Sequence, residues 1–187
     1  GNYKVGGIVG ESRSFIEVCT NKAAVNGAAS GGIVGVMDGK ASTVGCTNEG
    51  EINGATSTDT YGTGGIVGLL ETVEGKGATA VVEKCACYTD VSSNIYTGGI
   101  IGNLIGNNTV ITARVSDCLF KGSLSVAYKN GWKYGLSGGI IGCCHQSNSK
   151  GGQTQVTDCV ALIDQFKFST VATAAGYGGL TGYTKTT

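Results

Sequence analysis

The residues with most chemistry to offer are cysteines, and five of the eight share one position in a repeat. Cys19, Cys85, Cys118 and Cys159 each follow an apolar residue by three (Ile16, Val82, Val115, Val156), and Cys46 follows Thr43. Identical placement in successive repeats implies stacking. Parallel strands in register hold neighbouring Cβ atoms at ~4.8 Å, longer than the ~3.8 Å a disulfide prefers. The spacing predicts a structural ladder of free, buried thiols acting as small hydrophobes.

The run Cys143-Cys144-His145 invites a metal reading. Adjacent strand residues alternate sides, so only Cys143 and His145 share a face, and two ligands fall short of a zinc site. Recruiting Cys85 and Cys87 does not change the expectation that no metal or cofactor is held. His145 is the only histidine, and no Ser, Asp or Cys motif around it resembles a catalytic triad. The best acidic pair is Asp117 and Asp158, each immediately before a ladder cysteine, with Lys84 at the matching position one unit earlier. In register the two carboxylates would stack outward about 5 Å apart, a separation that suits a calcium ligand pair or a retaining glycosidase. The plainer expectation is a Lys84–Asp117 surface ion pair of little energetic weight. Tyr3, Tyr61, Tyr96, Tyr134 and Tyr177 all stand within four residues before a Gly-Gly pair. Exposed, they could stack on sugar rings or anchor a protein; corner packing is the expected role.

The elements that must position these residues repeat. The motif Gly-Gly-Ile-Val-Gly begins at Gly6, Gly31 and Gly64, with close copies at Gly98, Gly138 and Gly178, at intervals of 25, 33, 34, 40 and 40 residues. Periods of this size signal a solenoid, propeller or array. Short runs of Ile, Val, Thr and Tyr bounded by Gly or Asn predict strands. Six residues after each ladder cysteine comes another apolar position, held by Val25, Ile52, Val91, Leu124 and, against the pattern, Gln165. The third and fourth motif residues (Ile8 and Val9 in the first copy) are expected on opposite faces of one strand, covered on both sides. The motif glycines permit sharp corners and close backbone approach. Between motif and cysteine the segments lengthen from unit to unit, and their turn sequences "EGKG", "GNN" and "SKGG" read as hairpins projecting from a constant frame.

Composition removes other classes. A chain with 41% hydrophobic and 14% charged residues is too apolar for disorder, and 34 Gly exclude a helical bundle. Thirteen basic residues balance thirteen acidic ones, so nothing favours nucleic acid or an anionic membrane. No apolar run approaches the ~20 residues of a membrane span. The opening "GNYKVGGIVG" has no basic start, apolar core or cleavage site of a secretory signal, and the lack of an initiator Met suggests a processed or trimmed chain.

The spaced "GGIVG" or "GGIIG" with a following Val-x-x-Cys and a later apolar strand resembles the GLUG-type repeats of bacterial surface and secreted proteins. The resemblance covers five full units and the start of a sixth. It implies a β-solenoid in an extracellular, adhesin-like protein, and it brings no catalytic residues. The expectation is thus an all-β repeat solenoid, a right-handed parallel β-helix with β-hairpin inserts. One repeat domain fills 1–187, with rungs starting near 6, 31, 64, 98, 138 and 178, excised from a longer array. Its expected role is non-enzymatic: a domain at the cell surface that displays loops for adhesion to a host protein or glycan, or acts as a spacer. The alternative is a carbohydrate-active β-helix enzyme using Asp117 and Asp158, or a glycan-binding module. The insert segments 69 to 81, 103 to 114 and 143 to 155 should project from one side. Leu69, Leu70, Leu104, Ile105, His145 and Gln146 would form their contact patch.

Overall fold

Each pass of the chain lays down the same series of short strands, and each strand pairs in parallel with its equivalent one pass later. The computed structural model describes residues 3–54, 61–72, 79–107, 112–127, 135–147, 153–168, 175–182 and 184–185. Four sheets result. The first stacks Lys4–Gly6, Ala29–Gly31, Thr63–Gly64, Tyr96–Gly98, Gly135–Gly138 and Ala175–Gly178. The second stacks Val9–Ser12, Val34–Asp38, Val67–Thr72, Ile101–Asn107, Ile141–Ser147 and Thr184–Lys185. The third holds Phe15–Glu17, Ser42–Val44, Thr79–Glu83, Thr112–Ser116 and Gln153–Thr157. The fourth has two limbs. Thr20–Asn21, Thr47–Asn48 and Ala86–Cys87 form one limb, and Val25–Gly27, Ile52–Gly54 and Val91–Ser93 form the other. Leu119–Val126 and Val160–Phe168 run through both.

The register follows the motif: Gly6 pairs with Gly31, Gly31 with Gly64, Gly64 with Gly98, Gly98 with Gly138 and Gly138 with Gly178. The all-β solenoid of parallel strands expected from the repeats is the observed fold. The strands flanking each insert likewise pair across rungs, as Leu70 with Leu104 and Leu104 with Cys144. The insert tips, 73–78, 108–111 and 148–152, lie outside the described residues.

The motif itself is a corner between the first and second sheets. The N–H groups of Ile33 and Val34 both donate to the Ile66 carbonyl, at 3.0 and 2.9 Å, and those of Ile66 and Val67 both donate to Ile100, at 3.0 and 2.9 Å. Two consecutive donors converging on one acceptor break the strand alternation. Both apolar residues therefore turn into one core, where Ile33, Val34, Ile66, Val67, Ile100 and Ile101 are fully buried. This corrects the expectation of opposite faces: no outer cover is needed, because neither side chain points outward.

Burial is supplied by neighbouring rungs, as stacking requires. Ile33, Ile66, Ile100 and Ile140 are 0% exposed, whereas Ile8 and Leu180, first and last in the same column, are 42% and 47% exposed. The glycines make the corner possible. A Cβ on Gly31 would strike the Val34 carbonyl, and one on Gly32 would strike the Asn48 side chain and the Gly65 carbonyl. The fifth motif glycine serves the same end from the other side, since a Cβ on Gly68 would meet the Ser30 backbone at 2.8 Å. The first and second sheets are thus pinched together over bare backbone.

The inward column read as ending in Gln165 ends in Phe166 instead. Gly122 pairs with Ile163 but Leu124 pairs with Phe166, so a bulge absorbs one extra residue. It restores an apolar side chain at the position where constant spacing put an amide.

Candidate functional site

The ladder cysteines line the corner between the third and fourth sheets. Each follows a residue in the left-handed region: Val18 (φ 52°), Gly45 (62°), Lys84 (54°), Asp117 (54°) and Asp158 (53°). That turn swings the next side chain inward. It accounts for the odd three-residue spacing in Val-x-x-Cys, which strict strand alternation would forbid. Cys46, Cys85 and Cys118 are buried, Cys19 and Cys159 are partly so, and all eight cysteines are free thiols. Each ladder sulfur donates to the carbonyl two residues back, from Cys19 to Glu17 at 3.3 Å through Cys159 to Thr157 at 3.2 Å. Most also reach a carbonyl of the preceding rung, as Cys85 does to Thr43 at 3.4 Å. The neighbouring Cys85 thiol holds Cys46 and Cys118 below the ordinary thiol value, and Cys85 is raised in return by Cys118 and Cys46. Burial pushes Cys87 up to about 11 and Cys143 up to about 12.

Two residues beyond the ladder runs a column that sequence reasoning missed: Asn21, Asn48, Cys87, Phe120 and Ala161. Asn21 Nδ2 donates to Asn48 Oδ1 at 2.8 Å and to the Ala23 carbonyl at 2.8 Å, and Asn48 Nδ2 donates to the Gly50 carbonyl at 2.8 Å. These buried amides clamp the turn between the two limbs of the fourth sheet. The signal was present as Cys-Thr-Asn, written twice at 19–21 and 46–48.

The candidate residues of the sequence do not assemble into one site. Leu69, Leu70 and Leu104 are buried and offer no contact surface, because the strand after the motif continues along the core instead of leaving it. Ile105 is half-buried against the small cluster of Ala29, Val36 and Leu69. His145 and Gln146 pair through their backbones with Ile105 and Gly106, and their side chains lie outside the described residues. Asp117 and Asp158 stand exposed on the convex corner. Lys84 pairs with Glu83 at 3.1 Å and not with Asp117, because the left-handed turn leaves it beside the carboxylate that precedes it. Among the tyrosines, Tyr61 packs against the Ala29 cluster and its ring centroid lies 6.1 Å from that of Tyr3. The tyrosines at 134 and 177 have no described side chains.

The structure draws attention to a different place, the outer face of the fourth sheet's second limb. A hollow of ≈ 230 Å³ opens there over Val91. Its floor is Ser92, Ser123 and Ser125, contributed by the third and fourth rungs. Longer side chains stand at both ends along the axis, Glu51 and Asn53 from the second rung and Lys167 from the fifth. Asp90 completes one wall, its Oδ1 accepting the Ser123 N–H at 2.8 Å. Ser92 Oγ donates to Asn53 Oδ1 at 2.8 Å. The hollow exists because small residues occupy the middle of an outward column whose ends are large. The bulge that admits Phe166 lies directly beside it.

No group of three or more metal-ligating residues occurs among the described residues. Fold and hollow together define the class: a parallel β-solenoid with a polar depression on one outer face. No family model, curated protein or solved structure matches the chain.

Proposed function

We propose that this chain is a non-enzymatic repeat domain of a bacterial cell-surface or secreted protein, a stiff solenoid that presents a binding face to a host protein or glycan. The observation that carries the reading is the contrast between the two sides of the fourth sheet. Its inward positions serve the stack in every rung, while one outward column passes from Asn53 through Ser92 and Ser125 to Lys167 and forms a hollow. Residues free of packing duty are the ones a scaffold can commit to recognition. The motif's resemblance to GLUG-type repeats supports the surface location.

Eight free thiols are unusual in an oxidising compartment. Those of Cys46, Cys85, Cys87 and Cys118 are closed off inside the stack, which keeps them from oxidants and from one another's partners outside it.

The test is attachment. Beads coated with the chain are expected to adhere to host epithelial cells or extracellular matrix above uncoated beads, and the chain is expected to turn over no polysaccharide in a reducing-end assay. Turnover that disappears in Asp117→Asn/Asp158→Asn would overturn the reading, as would adhesion no better than that of bare beads.

A further inference from the structure

We infer that the hollow on the fourth sheet is a binding site for a neutral oligosaccharide, an inference that rests on the scaffold reading above and names its ligand class. Two observations converge there. First, the lining is rich in hydrogen-bonding side chains: two carboxylates, an amide, three hydroxyls and an ammonium, beside Val91. Much of this capacity is unspent. The Glu51 carboxylate and the Lys167 ammonium pair with no described residue, and Asp90 uses one oxygen on the Ser123 N–H. Donors and acceptors interleaved at this density suit vicinal sugar hydroxyls, each of which both donates and accepts.

Second, the shape is that of a trough along the solenoid axis. The lining comes from the second to the fifth rung, so at ~4.8 Å per rung it extends about 14 Å, the reach of a short oligosaccharide and more than a single ring needs. Stacked, in-register side chains also offer a ligand of repeating units a repeating set of partners.

The same observations turn away other ligands. A peptide site needs apolar anchors or an open strand edge, whereas this trough has one apolar residue and lies over backbone already paired on both sides. An anionic glycan would meet Glu51 and Asp90 against Lys167 alone.

The experiment is calorimetric titration of the whole chain with cellohexaose, mannohexaose, xylohexaose and N-acetylchitohexaose, beside a heparin hexasaccharide and a hexapeptide of mixed sequence. At least one neutral hexasaccharide is expected to bind. Asn53→Ala and Lys167→Ala are each expected to weaken it about five-fold or more, and Ser92→Trp, which fills the floor, is expected to abolish it. Lys22→Ala, just past the strand Thr20–Asn21 and not part of the trough, is expected to leave affinity unchanged. Melting curves identify any variant that fails to fold, and the exposed Asn53 and Lys167 serve as the fallback for Ser92→Trp. The inference is overturned if no neutral hexasaccharide binds, if heparin or the peptide binds instead, or if binding ignores all three trough variants. Adhesion retained by beads carrying Ser92→Trp would sink the sugar site and leave the scaffold reading standing. Sugar binding without adhesion would do the reverse.

Discussion

The pinch between the first and second sheets and the outer face of the fourth sheet are built from the same rungs under opposite rules. At the pinch, every rung brings glycine to the same places, because the backbone of one sheet rests on the backbone of the other and no side chain fits between them. On the outer face of the fourth sheet nothing rests on the side chains. Asn53, Ser92, Ser125 and Lys167 succeed one another in a single column with three different sizes and chemistries. Strict repetition of glycine thus reports backbone lying on backbone, while side-chain positions are free to vary, outside in the trough and inside in the column Asn21, Asn48, Cys87, Phe120 and Ala161.

That contrast can be broken most severely at the pinch. Gly65→Ala would drive a methyl into the Gly99 carbonyl and the Cys87 sulfur, and the carbonyl cannot yield without shifting a neighbouring rung. A loss above about 4 kcal/mol is expected, enough to abolish cooperative unfolding in a urea titration monitored by circular dichroism. Phe120→Ala, on the inward side of the fourth sheet, empties a fully buried position and is expected to cost about 3–5 kcal/mol in the same titration.

Much of this architecture was legible in the sequence for a specific reason. The motif marks a corner, and corners recur once per rung whatever the length of the segments between them, so the intervals of Gly-Gly predicted which strands pair. What lay between corners was harder. Leu69, Leu70 and Leu104 looked like insert residues because they follow the motif where the copies diverge in length. The extra residues instead lengthen strands that still pair rung to rung, and these leucines are buried. Gln165 was misplaced because a bulge is invisible to a count of residues. The hollow was illegible for a third reason: Glu51, Asp90 and Lys167 are 39 and 77 residues apart in the chain, and only the stacking offsets of the fourth sheet bring them together.

The interior thiols sharpen the contrast through pH. Burial raises Cys87 to about 11 and Cys143 to about 12 from an ordinary value of 9.0. The folded chain therefore holds protons that the unfolded chain gives up first. The stability from these groups is complete below pH 9 and is lost as pH rises towards 11 and 12, by at most about 1.4 kcal/mol per pH unit for each thiol. Melting temperatures measured from pH 8 to pH 11 are expected to fall, and Cys87→Ala should flatten the fall. A profile that is flat in the parent chain would show the thiols to be solvated. Asn48→Ala removes the amide clamp and strands the Gly50 carbonyl, for an expected loss of about 1–3 kcal/mol by denaturant titration.

The smallest expected effect lies where the two rules meet, at the residue before each ladder cysteine. All five positions adopt the left-handed backbone, so the conformation is repeated as strictly as any glycine in the pinch. The residues themselves are less uniform: Gly45 has no side chain, and Val18, Lys84, Asp117 and Asp158 are exposed. A β-branched residue is the worst of these for that backbone, because its second γ-carbon crowds the neighbouring carbonyl, whereas Asp and Asn tolerate it through short polar side chains. Val18 is 84% exposed, so replacing it sacrifices almost no burial. Val18→Asn is expected to stabilise the chain by about 1 kcal/mol, while Asp158→Asn should change stability by less than about 0.5 kcal/mol. Urea midpoints of the two variants decide the matter. If Val18→Asn destabilises, that side chain makes a contact which outweighs its strained backbone. If Asp158→Asn costs as much as a core change, its carboxylate has a partner that a residue chosen for its backbone alone would lack.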